Sequence, residues 1–191
     1  MKARIGFASV GLAFLMALFT VAAPGALRSA AALQASPEAS PVAATTIQLT
    51  GLVENPGELT VADLQGMTPQ TVDVTFQAAG KEEKHTFTGV KLWDVLDKAK
   101  LQLDPKRKND QLRKYVVLTA QDGYDVVISL GEIDPGFGNQ SVLLAWDQDG
   151  APLTGEDGPV RLVTPGDVKG GRYVYGVIKI EVRDVDSPPR A

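Results

Sequence analysis

Residues 47–182 form a succession of short apolar runs, nearly all stopped by Gly, Pro, Asn or Asp before they reach the length of an ordinary helix. Residues 71–76 show the pattern most clearly. Val72, Val74 and Phe76 fall on one side of a two-residue period, and Thr71, Asp73 and Thr75 on the other. That is the signature of a half-buried strand. IQLTGLV (47–53) reads as another strand, with ENPGE as the turn behind it. AAGKEEK reads as a polar hairpin tip. KYVVLTA and YDVVISL flank Gln121-Asp122-Gly123, a hairpin turn. SVLLAW, the turn DQDGAPL and PVRLVTP form a further strand pair, and RYVYGVIKIEV closes the series.

Helical signals are few. Thr60 with Asp63 three residues later is an N-cap followed by an acid in the first turn, which predicts one short helix. Residues 90–101, VKLWDVLDKAKL, carry apolar residues at the 3.6-residue period and predict a second. DPKRKNDQLRK is expected to be a charged, mobile loop. Strands dominate, so the class is α+β, with mixed, mainly antiparallel sheets and small helices. There is no internal repeat.

The N-terminus has a different character. Lys2 and Arg4 precede an apolar run over residues 5–23, and small residues follow. That layout is a secretory signal over residues 1–32, and its glycines, serine and small-residue tail favour cleavage over an uncleaved anchor. The protein is therefore expected to be exported, periplasmic or extracellular, with no membrane span after cleavage. Residues 33–46 are Ala/Ser/Pro-rich and read as a flexible linker, residues 47–186 as the domain and 187–191 as a tail. Losing residues 1–32 removes three of the 19 basic residues and none of the 23 acidic ones, leaving a charge of about −7. No basic face suggests nucleic acid. With no cysteine in the chain there is no disulfide, thiolate ligand or thiol nucleophile, and stability must come from an ordinary core.

Catalytic and metal patterns are sparse. The single histidine, His85, lies among charges in KEEKHTF and reads as a surface residue at the hairpin tip, so neither a Ser-His-Asp system nor a zinc site is expected. Asp147, Asp149, Gly150 and Glu156 match four places of a calcium loop, but Ala145 stands where the first oxygen ligand would be. Asp-Gln-Asp-Gly reads equally as a hairpin turn.

The stretch GPVRLVTPGDVKGGRYVYGV (158–177) carries more. Arg161 sits in an apolar strand, where a charge is costly unless paired. Beyond Pro165 the chain offers Lys169 and Arg172 around Gly170 and Gly171. Guanidinium forks and glycine N–H groups suit phosphate or carboxylate. The alternative is that Arg161 pairs with Asp157 or Asp122 and the glycines only permit a bend.

Six segments in order carry a resemblance: residues 49–64 (LTGLVENPGELTVADL), 75–80 (TFQAAG), 87–96 (FTGVKLWDVL), 122–130 (DGYDVVISL), 143–153 (LLAWDQDGAPL) and 158–174. Together they resemble the molybdopterin-binding domain of the sulfite-oxidase superfamily. The resemblance implies that family's fold of mixed, mainly antiparallel curved sheets. In complete members it also implies a molybdenum cofactor that performs oxo transfer. It places the metal-ligating cysteine at Ala78, in Thr75-Phe76-Gln77-Ala78-Ala79-Gly80. Lys81-Glu82-Glu83 stand where the family often has Asn-Arg-Arg, and Asp157 stands for a histidine. Arg161 and Arg172 match cationic phosphate contacts, while a lysine and a tryptophan become Tyr175 and Gly176. Exported members of the family usually leave folded on a twin-arginine signal, which residues 1–32 lack.

The expectation is an exported domain of this family whose cofactor-binding residues are Arg161, Arg172, Lys169, Gly170 and Gly171. Molybdopterin is a possible cofactor, and no metal or catalytic residue is assigned. The function expected is a binding module for a small anionic ligand or a partner protein. The alternative is a molybdopterin-dependent oxidoreductase without a cysteine ligand. Since the sequence ends soon after Val182, the family's second domain is not expected.

Overall fold

Ile47 and Leu49 are buried while Gln48 is exposed, so the first run becomes a strand, β1 (Ile47–Gly51). It belongs to a computed structural model that describes residues 46–188. The expected signal (1–32), all but Thr46 of the expected linker (33–46) and residues 189–191 of the expected tail (187–191) lie outside the described residues. The described residues belong to one compact unit spanning 39–191.

Two sheets make the framework. In the first, β2 (Gly57–Leu59) pairs with β1, and β1 runs parallel to β10 (Val177–Asp184). β10 pairs with β5 (Lys114–Ala120), and β5 with β6 (Asp125–Ser129). In the second sheet, β3 (Gln70–Ala78) and β4 (Lys81–Lys91) form a long hairpin. β7 (Leu143–Gln148) follows, paired with both β8 (Ala151–Pro152) and β9 (Arg161–Val163). All of these named strand pairings except β1 with β10 are antiparallel. The α+β expectation holds.

The helices are short. α1 (Val61–Gln65) has the capping box that Thr60 and Asp63 predict: the Asp63 N–H donates to Thr60 Oγ1 at 3.2 Å, and the Thr60 N–H donates to Asp63 Oδ2 at 2.8 Å. α2 (Leu92–Lys98) is shorter than the expected 90–101, because Val90 and Lys91 stay in β4 opposite Leu144 and Leu143. α3 (Leu130–Ile133) follows β6.

Two further expectations are corrected. The β3–β4 tip is only Ala79 and Gly80, both at positive φ (49° and 78°), as a two-residue hairpin turn requires. Residues 81–84, expected at the tip, are strand. The charged loop after residue 103 ends in a 3-10 turn, Asp110–Arg113. The buried Asp110 accepts the Asp104 N–H at 2.9 Å and ion-pairs with Lys114 at 3.0 Å.

The core divides in two. The larger cluster is aliphatic and lies under the first sheet, with Leu92, Val95 and Leu96 of α2 packed into it. The smaller cluster lies on the second sheet: Val74, Phe76, Phe87, Leu143, Ala145, Val163 and Tyr173. Its aromatic content prepares the site.

Candidate functional site

Strand β9 carries Arg161 opposite Ala145 of β7, and the pairing delivers its side chain into the smaller core cluster. Arg161 is only 3% exposed. Four rings surround it. The guanidinium carbon lies 3.8 Å from the Tyr175 ring centre, 5.2 Å from Phe87, 5.7 Å from Tyr173 and 6.0 Å from Phe76. Tyr173 stacks on Phe76 with centroids 4.2 Å apart.

One hydrogen bond holds the guanidinium, from Nη1 to Gln148 Oε1 at 3.1 Å. Nε and Nη2 are buried with no hydrogen-bond partner, and so is the Tyr173 hydroxyl. Nε and Nη2 form one edge of the guanidinium plane, the edge that takes two oxygens of a carboxylate or phosphate side by side. Neither Asp157 nor Asp122 bonds to it, so the pairing that the sequence leaves open is not made. Burial pulls the Arg161 pKa down from its ordinary value, while the fields of Tyr175, Asp157, Glu83 and Tyr173 oppose that shift. Burial also pushes the Tyr173 hydroxyl up to about 12.

The energetics weigh against a purely structural role. An unpaired buried donor costs about 1–3 kcal/mol, and more when charged. A good cation–π contact returns about 0.5–2 kcal/mol. The rings offset part of the cost of two open donors, not all of it.

In front of Tyr175 is a cleft of about 650 Å³ lined by Gln121, Asp122, Glu156, Asp157 and Tyr175. It joins the β5–β6 turn to the 3-10 turn Gly155–Asp157, and Gln121 Nε2 donates to the Glu156 carbonyl at 3.3 Å.

The other predicted residues have different roles. Arg172 ends the 3-10 turn Gly170–Arg172, and all three guanidinium nitrogens are engaged. Nε and Nη2 donate to Asp167 at 2.8 and 2.6 Å, and Nη1 donates to Glu132 at 2.9 Å. The bonds to Asp167 hold Arg172 above its usual range and Asp167 below its own. Lys169 is exposed, and its backbone bridges to Gln77. A Cβ on Gly170 would lie 3.0 Å from the Phe76 ring and 3.8 Å from the Ala78 methyl. Close packing therefore requires glycine there, not the display of an N–H. The Gly171 carbonyl accepts the Tyr124 hydroxyl at 2.8 Å. Ala78 and the 169–172 loop lie side by side.

Sequence reasoning misplaces His85. It lies in β4 on the side of Phe87, half-buried, with its ring 6.2 Å from Phe76. Nδ1 is 2.7 Å from Asp149 Oδ2 and 3.1 Å from Gln148 Nε2, and Nε2 is 3.6 Å from Glu83. Arg161, Gln148, His85 and Asp149 thus form one line of polar contacts. The even spacing of His85 and Phe87 in one strand was the available signal. The Asp147–Gly150 segment is a hairpin turn with Asp149 and Gly150 at positive φ (55° and 80°). Asp149 also accepts the Thr86 N–H, so its oxygens are spent within the fold.

A family model described as "Oxidoreductase molybdopterin binding domain" matches residues 34–190. Nitrate reductase [NADPH] of Mycosarcoma maydis is 29% identical over 179 residues, covering 74% of this chain and 18% of that protein. Nitrate reductase [NADH] of Ulva prolifera is 29% identical over 172 residues, covering 74% and 19%. The chain spans about a fifth of the length of these relatives. Among solved structures, the sulfane dehydrogenase SoxCD of Paracoccus pantotrophus matches with a TM-score of 0.60 at 22% identity. That match covers 74% of this chain and 39% of that one, a likeness of fold. With the two sheets, the short helices and the family match over most of its length in agreement, the chain belongs to the oxidoreductase molybdopterin binding domain family.

Proposed function

We propose that this domain is a non-catalytic binding module, exported from the cytoplasm, whose cleft takes a small ligand through a carboxylate- or phosphate-like group held on Arg161. One observation carries the reading: a buried guanidinium with its two-nitrogen edge unpartnered. The support for export is the sequence of residues 1–32.

The cofactor that the family implies does not suit the residues present. Ala78 offers a methyl group where the resemblance puts a thiolate, and the chain contains no cysteine to replace it. Arg172 is committed to Asp167 and Glu132. Family membership keeps one second reading, an oxidoreductase that holds the cofactor through its pterin alone. Elemental analysis after expression in a cofactor-competent host separates the two. About one molybdenum per chain would replace the binding-module reading.

The direct test is thermal unfolding with sodium acetate and with inorganic phosphate. A ligand at a hundred times its Kd stabilises by about 2.7 kcal/mol. The midpoint should rise in wild type and stay fixed in Arg161→Lys and Arg161→Met. A wild-type midpoint that neither anion raises would leave the cleft a structural relic.

A further inference from the structure

The wall of the cleft decides what else a ligand must carry. We infer that the ligand is amphoteric: a small molecule whose carboxylate meets Arg161 and whose ammonium or guanidinium group meets Asp157, Glu156 and Asp122. This rests on the reading of Arg161 as a ligand-binding group and adds the ligand's second end.

The five lining residues include three exposed carboxylates and no Lys, Arg or His. A simple anion would have to pass like charges to reach Arg161. A simple cation would pair with the carboxylates and leave the Nε–Nη2 edge without an acceptor. A molecule with both charges, spaced across the cleft, satisfies both. The volume of about 650 Å³ is within the ordinary range for small-molecule sites.

Three features connect rim and floor. Tyr175, 41% exposed, lines the cleft on one side and covers the guanidinium at 3.8 Å on the other. In this inference the Tyr175 side chain, which stands between the cleft and Arg161, turns aside so that the carboxylate meets the in-plane Nε–Nη2 edge. Asp157 acts on Arg161 through its field without bonding to it, so the rim charge is within range while the edge stays free. The Gln121–Glu156 bond fixes the two sides of the rim relative to each other. Arg172, fully ion-paired, offers the ligand nothing.

The test is isothermal titration of the full chain with ω-amino acids of one to five methylenes, beside acetate, butyrate, butylamine and inorganic phosphate. One ω-amino acid should bind at least tenfold tighter than butyrate or butylamine. The Glu156→Gln/Asp157→Asn double variant should reduce that compound to the affinity of butyrate while butyrate itself binds no worse. Glu156→Gln alone should give a partial loss, and serves if the double variant does not fold. Arg161→Lys should abolish both. If phosphate or butyrate binds through Arg161 as tightly as every ω-amino acid, the amphoteric inference fails and the anion reading stands. If butylamine binds best and Arg161→Lys leaves it unchanged, or if nothing binds, both fail.

Discussion

Lys114 and Arg161 are both buried cations, and the fold treats them differently. Lys114, at the start of β5, ion-pairs with Asp110 at 3.0 Å and Asp184 at 3.1 Å. Arg161 has one amide partner, four rings and an open edge. The first arrangement is complete without anything from outside. The second lacks an acceptor on its Nε–Nη2 edge, although Asp157 is near enough for its charge to act on the guanidinium. Buried charge alone does not mark a binding site; the proposed one rests on buried charge left uncompensated.

Substitution should separate the two most sharply. Lys114→Met removes the buried cation shared by Asp110 and Asp184 and leaves them only Arg107 at 3.8 Å and Arg113 at 3.2 Å, so the midpoint of thermal unfolding should fall by more than about 5 °C. Arg161→Met replaces an unsatisfied cation with an apolar chain of similar length among rings. It should stay within about 1 kcal/mol of wild type, or gain stability. Equal losses in the two variants would erase the distinction.

A smaller packing effect should follow at the loop. Gly170→Ala pushes a methyl to 3.0 Å from the Phe76 ring, which is stacked on Tyr173 and cannot move freely. Overpacking of this kind costs about 1–3 kcal/mol. Gly171→Ala meets open space and serves as the control. Similar melting curves for the two would remove the close-packing account of Gly170.

The pH limbs should divide along the same line. The Asp186 N–H, then Lys114 and Arg113, hold the Asp184 carboxyl down to about 2 against its burial. A carboxylate with a folded pKa below its unfolded value near 3.9 stabilises above that value. Its contribution should be lost as pH falls from about 4 to about 2, and Asp184→Asn should flatten that limb. Tyr173 is pushed the other way, to about 12. Its contribution is complete below the unfolded value near 10 and should be lost between about 10 and 12. Tyr173→Phe should flatten the alkaline limb alone. Equilibrium unfolding across the pH range checks both.

How much of this was legible follows from how far apart the deciding partners lie. The alternation of residues 71–76 and the Thr60–Asp63 cap are local, and both were read correctly. Residues 90–92 are apolar at 90 and 92, which fits a strand as well as a helix. The choice was made by Leu143 and Leu144 of β7, some fifty residues away. The 158–177 stretch announced its charges but not their state. Arg172 is neutralised by Asp167 and by the remote Glu132, and His85 is drawn inward by Asp149 from another strand pair. The open edge of Arg161 could not be read at all. The sequence offered two candidate acids, and only the fold shows that neither bonds.

The most direct measurement is a titration of ¹⁵N-labelled protein that follows arginine Nε–H resonances as acetate, and then the best ω-amino acid, is added. Arg161 and Arg172 provide the comparison within one sample. The account predicts a saturable shift at Arg161 Nε–H, with Arg172 Nε–H unmoved because Asp167 already holds it. An Arg161 resonance that shifts no more than that of Arg172 would contradict the claim that its edge is kept for a ligand.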